Sequence, residues 1–276
     1  MGSSISIQSK ETETKQTNHI FCSTVPLEQG KAALATAESI DHYRELCRTD
    51  RANALARDGQ VYVYSHPTMA QQDALNERIQ SYESLIPTRL KNDLVGVQVV
   101  SLLPSADGNM PHTRPPNLIC LPLSGTGLTL ETYTHELWHI HQRKYYDMWT
   151  RFFKNSWYFE PFKGQIPVRL LNQLRFNPDT MTDMFWVWKG TWVPMCLFLD
   201  PVNPSFQNTA VWYYNVKTQI HRTTAPPEYV AFFSSTLPSS AYEHPCELSA
   251  YFLAGQNVQK KCPAYQSLAA EFLISS

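Results

Sequence analysis

The sequence predicts an α+β fold: a small mixed β-sheet over one long buried helix, followed by a second helical part and a β-rich insertion. Three observations carry this. Segments 95–103 (VGVQVVSLL) and 117–123 (NLICLPL) are apolar, β-branched runs separated by a Pro, Gly, Asp and Asn loop, the pattern of neighbouring strands. From Thr129 to about Lys154 the apolar residues fall on more than one side, Tyr133, Leu137 and Ile140 on one and Trp138, Tyr145, Trp149 and Phe152 on another. Such a helix is buried. Beyond it, 185–199 (FWVWKGTWVPMCLFL) and 209–217 (TAVWYYNVK) are rich in the aromatic and β-branched residues of strands.

The remaining elements follow in order. Residues 1–25 are polar and without periodicity, which predicts a flexible leader. Gly2 and Ser6 fit the Met-Gly-x-x-x-Ser/Thr pattern, so Gly2 is a candidate for myristoylation and, through one acyl chain, weak membrane association. Leu27 to Arg57 reads as helix and 60–65 (QVYVYS) as a short strand. Ser65 to Pro67 opens a second helix that runs to about Leu85. Thr129, with Glu131 behind it, caps the long buried helix. RFNPDT (175–180) is a loop. Pro245 and Gly255 bracket a last helix within 243–255. These elements group into the leader, a lobe over 26–155 and a part over 156–276, the last two forming one catalytic unit.

Composition narrows the function. A 276-residue chain with 43% hydrophobic residues can bury a large core, and a net charge of −1 with no basic cluster gives no basis for nucleic-acid binding. Six scattered cysteines without a C-x-x-C pair, and no apolar signal segment, predict free thiols and a cytoplasmic location. No apolar run approaches the roughly 20 residues of a membrane-spanning helix.

The chemistry sits at 134–143 (THELWHIHQR), where His135, Glu136 and His139 spell H-E-x-x-H. Two histidines four residues apart share one helix face, so both imidazoles can reach one ion. Zinc in a catalytic site takes three protein ligands and leaves a fourth position for water, whose proton Glu136 would accept. His141 projects from another side of the helix, so a remote acid is needed. Glu247, in the first turn of the last helix with the small Ala250 and Ala254 behind it, is the expected third ligand. Glu243 falls before that helix, and Glu160, Asp179, Asp183 and Glu228 are the fallback acids. Arg143 is expected to anchor its helix through an ion pair, and His66 and His112 to be ordinary surface or loop histidines.

His135-Glu136-x-x-His139 followed by a helical Glu247 with Ala250 three residues on resembles the gluzincins, the thermolysin-like zinc peptidases. The resemblance covers 117–155 and 243–255. It implies a zincin-like fold, one zinc ion per chain, hydrolysis of a peptide or protein substrate, and a substrate strand antiparallel to the edge of the small sheet. It also implies a Tyr or His that donates a hydrogen bond to the oxyanion. Tyr213, Tyr214, His221, Tyr229 and His244 are candidates, with His244 preferred because it precedes the Glu247 helix. The sequence departs from the family in having PCELSA where Asn-Glu often introduces the third ligand. Two rival readings are a catalytically inactive zincin-like binding or structural protein and a deformylase-like amidase using Cys120 or Cys246 as third ligand. The 185–217 segment is expected to wall the cleft.

Overall fold

The computed structural model describes residues 22–122, 128–234, 236–255 and 258–273, and Gly2 lies outside them. Among the described residues the first element lies inside the expected leader, where Cys22–Thr24 (β1) pairs in parallel with a later strand. Leu27 to Arg57 is three helices, α1 (Leu27–Asp41), α2 (Tyr43–Thr49) and α3 (Arg51–Ala56). His42, left-handed at φ 51°, separates the first two, and the Asp50 side chain accepts the Asn53 N–H to cap the third. The strand expected at 60–65 does not form. Tyr62 and Tyr64 turn their rings onto His112 and Gly30, leaving one isolated bridge from Tyr64 to Leu102.

Helix α4 (Met69–Glu83) starts after Pro67, because Thr68 and Gln71 form a reciprocal capping box, and α5 (Thr88–Asp93) follows. Strands β2 (Val97–Leu102), β3 (His112–Arg114) and β4 (Leu118–Pro122) complete a sheet of order β1-β2-β4-β3, parallel except for the antiparallel edge strand β3. Three consecutive left-handed residues, Asp107, Gly108 and Asn109, turn the chain between β2 and β3. Gly108 is needed there twice over, since its φ is 68° and a Cβ would stand 2.7 Å from the Phe206 ring. Asp107 is pinned by Arg57 Nε at 2.8 Å and by the Tyr43 hydroxyl.

The long helix is two, α6 (Leu130–Lys144) and α7 (Tyr146–Trp157). Thr129 caps α6 as expected, accepting the Thr132 N–H at 3.0 Å. Tyr145 leaves helical geometry at φ −112°, ψ 41°, with its hydroxyl on the Asp93 carbonyl. The bend directs Trp149 onto Phe272, stacked at 3.9 Å. Strands β5 (Phe159–Pro161), β6 (Trp186–Trp188), β7 (Trp192–Phe198), β8 (Thr209–Asn215) and β9 (His221–Arg222) form a second, antiparallel sheet in sequence order, with α8 (Val168–Leu171) between the first two. Helices α9 (Pro227–Phe233), α10 (Pro245–Ala254) and α11 (Pro263–Phe272) close the described chain. One core runs through both expected halves, joining Leu137 and Trp138 of α6 to Leu248 and Phe252 of α10. The fully buried Ala250 lets α10 lie along α6. No helix among the described residues is long and apolar enough to cross a membrane.

Candidate metal centre

One helical turn separates His135 from His139 on α6, and their Nε2 atoms face each other at 2.9 Å. From the first turn of α10, Glu247 meets both: Oε2 lies 3.3 Å from His135 Nε2 and Oε1 3.5 Å from His139 Nε2. Among the described residues this is the one group of His, Cys, Asp and Glu able to share an ion. Ligand atoms at 2.0–2.1 Å around a tetrahedral zinc stand about 3.3–3.4 Å apart, close to the 3.3 and 3.5 Å from the two imidazoles to the two Glu247 oxygens, while the imidazole nitrogens stand closer together at 2.9 Å. The donor set and its spacing therefore fit zinc.

Each ligand has a supporting partner. His139 Nδ1 lies 2.8 Å from Gln142 Oε1, one turn on, and Asn177 Nδ2 donates to Glu247 Oε1 at 2.8 Å. The His135 ring stands edge-on to Tyr251, with centroids 4.5 Å apart. Glu136 is buried beside them, and its Oε2 has no hydrogen-bond partner among the described residues.

Acidic neighbours shape the charge of the site. Burial pushes the Glu136 carboxyl well above the usual carboxylate range, and the Asp179 charge adds to this while His139 opposes it. Burial also acts against ionised Glu247, but His139 and His135 outweigh it and hold that carboxyl well below the usual range. His139, although buried, is raised to about 10 by Asp179 and Glu247. Three acidic side chains, Asp179, Glu247 and Glu136, thus act on His139.

The site opens into a cleft of about 640 Å³. Leu75 and Arg78 of α4, Met110 and His112 after the left-handed turn, and the 175–179 segment line it with His135, Glu136 and Glu247. Segment 185–217 contributes nothing to this lining, because Trp186, Trp188 and Tyr213 point into the core. Thr113, the central residue of β3, gives both its N–H and its hydroxyl to Asp179 Oδ1, at 2.7 and 2.5 Å, so the edge is covered at that residue against an added strand.

Several expected roles change. His244 is the N-cap of α10: its Nδ1 accepts the Cys246 N–H at 3.1 Å and its Nε2–H donates to the Asp183 carbonyl at 2.8 Å. With both nitrogens engaged and no place in the cleft lining, His244 is a structural cap and not the oxyanion donor. Tyr213, Tyr214 and Tyr229 are buried away from the cleft, and His221 stacks on Trp212 at 4.9 Å. The phenol that reaches the cleft is Tyr251, one turn past Glu247. Buried His112, its Nε2 2.7 Å from the Tyr62 hydroxyl, is no surface residue. Arg143 donates to Thr113 Oγ1 at 2.9 Å in place of the expected ion pair. Glu243 is not loose, since Arg175 Nη2 and Asn177 Nδ2 both donate to its Oε1, at 2.6 and 2.8 Å. Glu160, Asp183 and Glu228 lie on Lys154, Lys163 and Trp192 respectively. Cys120 Sγ faces the Tyr62 hydroxyl at 3.7 Å, and neither it nor Cys246 joins the ligand group.

His244 offers a test by pH. Burial lowers its pKa from the ordinary 6.5 to about 4, so the unfolded chain binds the extra proton between these values and stability falls as pH drops through that window. His244→Asn, which keeps a capping side chain, should remove about 1.4 kcal/mol per pH unit from the slope of stability between about pH 4 and 6.5. Urea unfolding at several pH values measures it, and an unchanged slope would show that His244 is not buried neutral.

No protein-family model, curated protein or solved structure matches this chain.

Proposed function

We propose that this chain is a single-zinc metallopeptidase with a zincin-like, gluzincin-type centre, His135, His139 and Glu247 holding the metal. The observation that carries the reading is the coincidence of two imidazole nitrogens and the Glu247 carboxylate, near enough to share one ion, with a buried, unpartnered carboxylate oxygen on Glu136. When bound, zinc supplies Lewis acidity that polarises a carbonyl and eases deprotonation of water. Glu136 takes the proton of the attacking water and returns it to the leaving amine. Tyr251, whose pKa burial raises to about 12, stays protonated and able to donate to the oxyanion. The cleft holds a peptide or a protein segment.

The rival readings have less support. A purely structural zinc is usually closed by four protein ligands and has no use for a base, whereas three ligands and Glu136 meet here. A deformylase-like site needs a cysteine ligand, and neither Cys120 nor Cys246 is in the group. Elemental analysis of the purified protein beside its His139→Ala variant tests the proposal. About one zinc per chain, lost in the variant, is expected, and a wild-type protein that takes up no zinc would sink it.

A further inference from the structure

Gln142 stands on the side of His139 away from the ligand group, and its hydrogen bonds leave it one orientation. Its Nε2 lies 3.0 Å from both the Cys246 carbonyl and Ser249 Oγ, on α10. The carbonyl can only accept. The Ser249 hydroxyl hydrogen goes to the Pro245 or Cys246 carbonyl, at 2.8 and 3.0 Å, so its oxygen also presents lone pairs to Gln142. The amide NH₂ must therefore face α10, and Oε1 must face His139.

An oxygen that can only accept requires a hydrogen on His139 Nδ1, which leaves the lone pair of the neutral ring on Nε2, the nitrogen directed at His135 and Glu247. We propose that Gln142 is a positioning residue that selects the metal-binding tautomer of His139, and that α10 controls this choice by orienting the Gln142 amide. The inference rests on the metal reading. Its consequence is that α10 contributes twice to the centre, directly through Glu247 and indirectly through the Cys246 carbonyl and Ser249 acting on Gln142. Docking of α10 on α6 then delivers the third ligand and sets the second histidine in one event.

Two variants separate positioning from simple helix clamping. Gln142→Met removes every hydrogen bond, whereas Gln142→Glu keeps an acceptor on His139 Nδ1 and loses the donor to α10. Both should lower the thermal midpoint of the metal-free protein. Competition with a chromophoric chelator should show zinc binding weakened about 10–100-fold in Gln142→Met and restored to at least wild-type strength in Gln142→Glu. The zinc-loaded wild type should also show a slowly exchanging imidazole N–H resonance from His139 Nδ1 that Gln142→Met lacks. Wild-type affinity in the Met variant, or equal weakening in both variants, would overturn the proposal. A wild-type protein without zinc affinity would instead overturn the metal reading beneath it.

Discussion

Glu136→Gln should leave the fold and the bound zinc in place while lowering peptidase kcat by a factor on the order of 10²–10⁴, the usual contribution of a positioned acid or base. The substitution is nearly isosteric, and Glu136 Oε2 has no hydrogen bond among the described residues to lose. Glu136 is also not among the three ligand residues, so zinc content should not fall. What disappears is the capacity to accept a proton. The metal-free variant should be no less stable than wild type, because a neutral amide avoids the cost, ionisation or proton uptake, of burying a carboxyl beside Asp179 and Glu247. Zinc content, thermal midpoint and kcat on a peptide substrate are measured on the same preparation. A Gln variant that keeps wild-type kcat would assign proton transfer to another group.

The parts of this centre that were legible in the sequence are those written in short-range rules. His135 and His139 are related by a single helical turn, Thr129 caps its own helix, and Pro245 and Gly255 punctuate α10. Such features follow from a few consecutive residues. What was not legible depends on contacts between distant segments. Arg175, Asn177 and Asp179 occupy alternate positions in what reads as an ordinary Asn-Pro loop, yet they hold Glu243, Glu247 and Thr113 respectively. Their two-residue spacing in a polar stretch between aromatic segments was the available signal, and it names no partners. The parallel pairing of β1 with β2 is similarly non-local, with three residues specifying an edge some seventy positions away.

His244 shows how proximity in sequence misleads. A residue just before a helix is close to the third ligand along the chain, but the same position offers its side chain the unsatisfied N–H groups of that helix, and Cys246 N–H takes it. Tyr251, four residues past Glu247, shares its helix face and so reaches the cleft. Gln142 obeys the same geometry relative to His139, three residues on along α6. Helical spacing from a proposed ligand was thus the better guide to its supporting residues.

The two glutamates of the α10 region should differ in zinc affinity on alanine substitution. Glu247→Ala removes a donor atom from the centre and should weaken zinc binding by more than the about 10–100-fold that supporting residues contribute. Asn177 keeps its bond to Glu243 in that variant, but the metal-free fold should also lose stability, because the buried imidazoles of His135 and His139 lose the carboxylate they pair with. Glu243→Ala leaves all three ligands, and Asn177 can still donate to Glu247. It strips the buried Arg175 guanidinium of its carboxylate partner, a loss of about 3–5 kcal/mol for a buried pair broken on one side. Zinc affinity should stay within about the lower end of the supporting-residue range while urea unfolding of the metal-free protein shifts to markedly lower denaturant. Chelator competition and urea titration on both variants then show stability lowered in each and zinc affinity lost only in Glu247→Ala. If Glu243→Ala loses zinc as completely as Glu247→Ala, the carboxylate at the metal is misassigned, because only a shared ligand role would make the two residues equivalent.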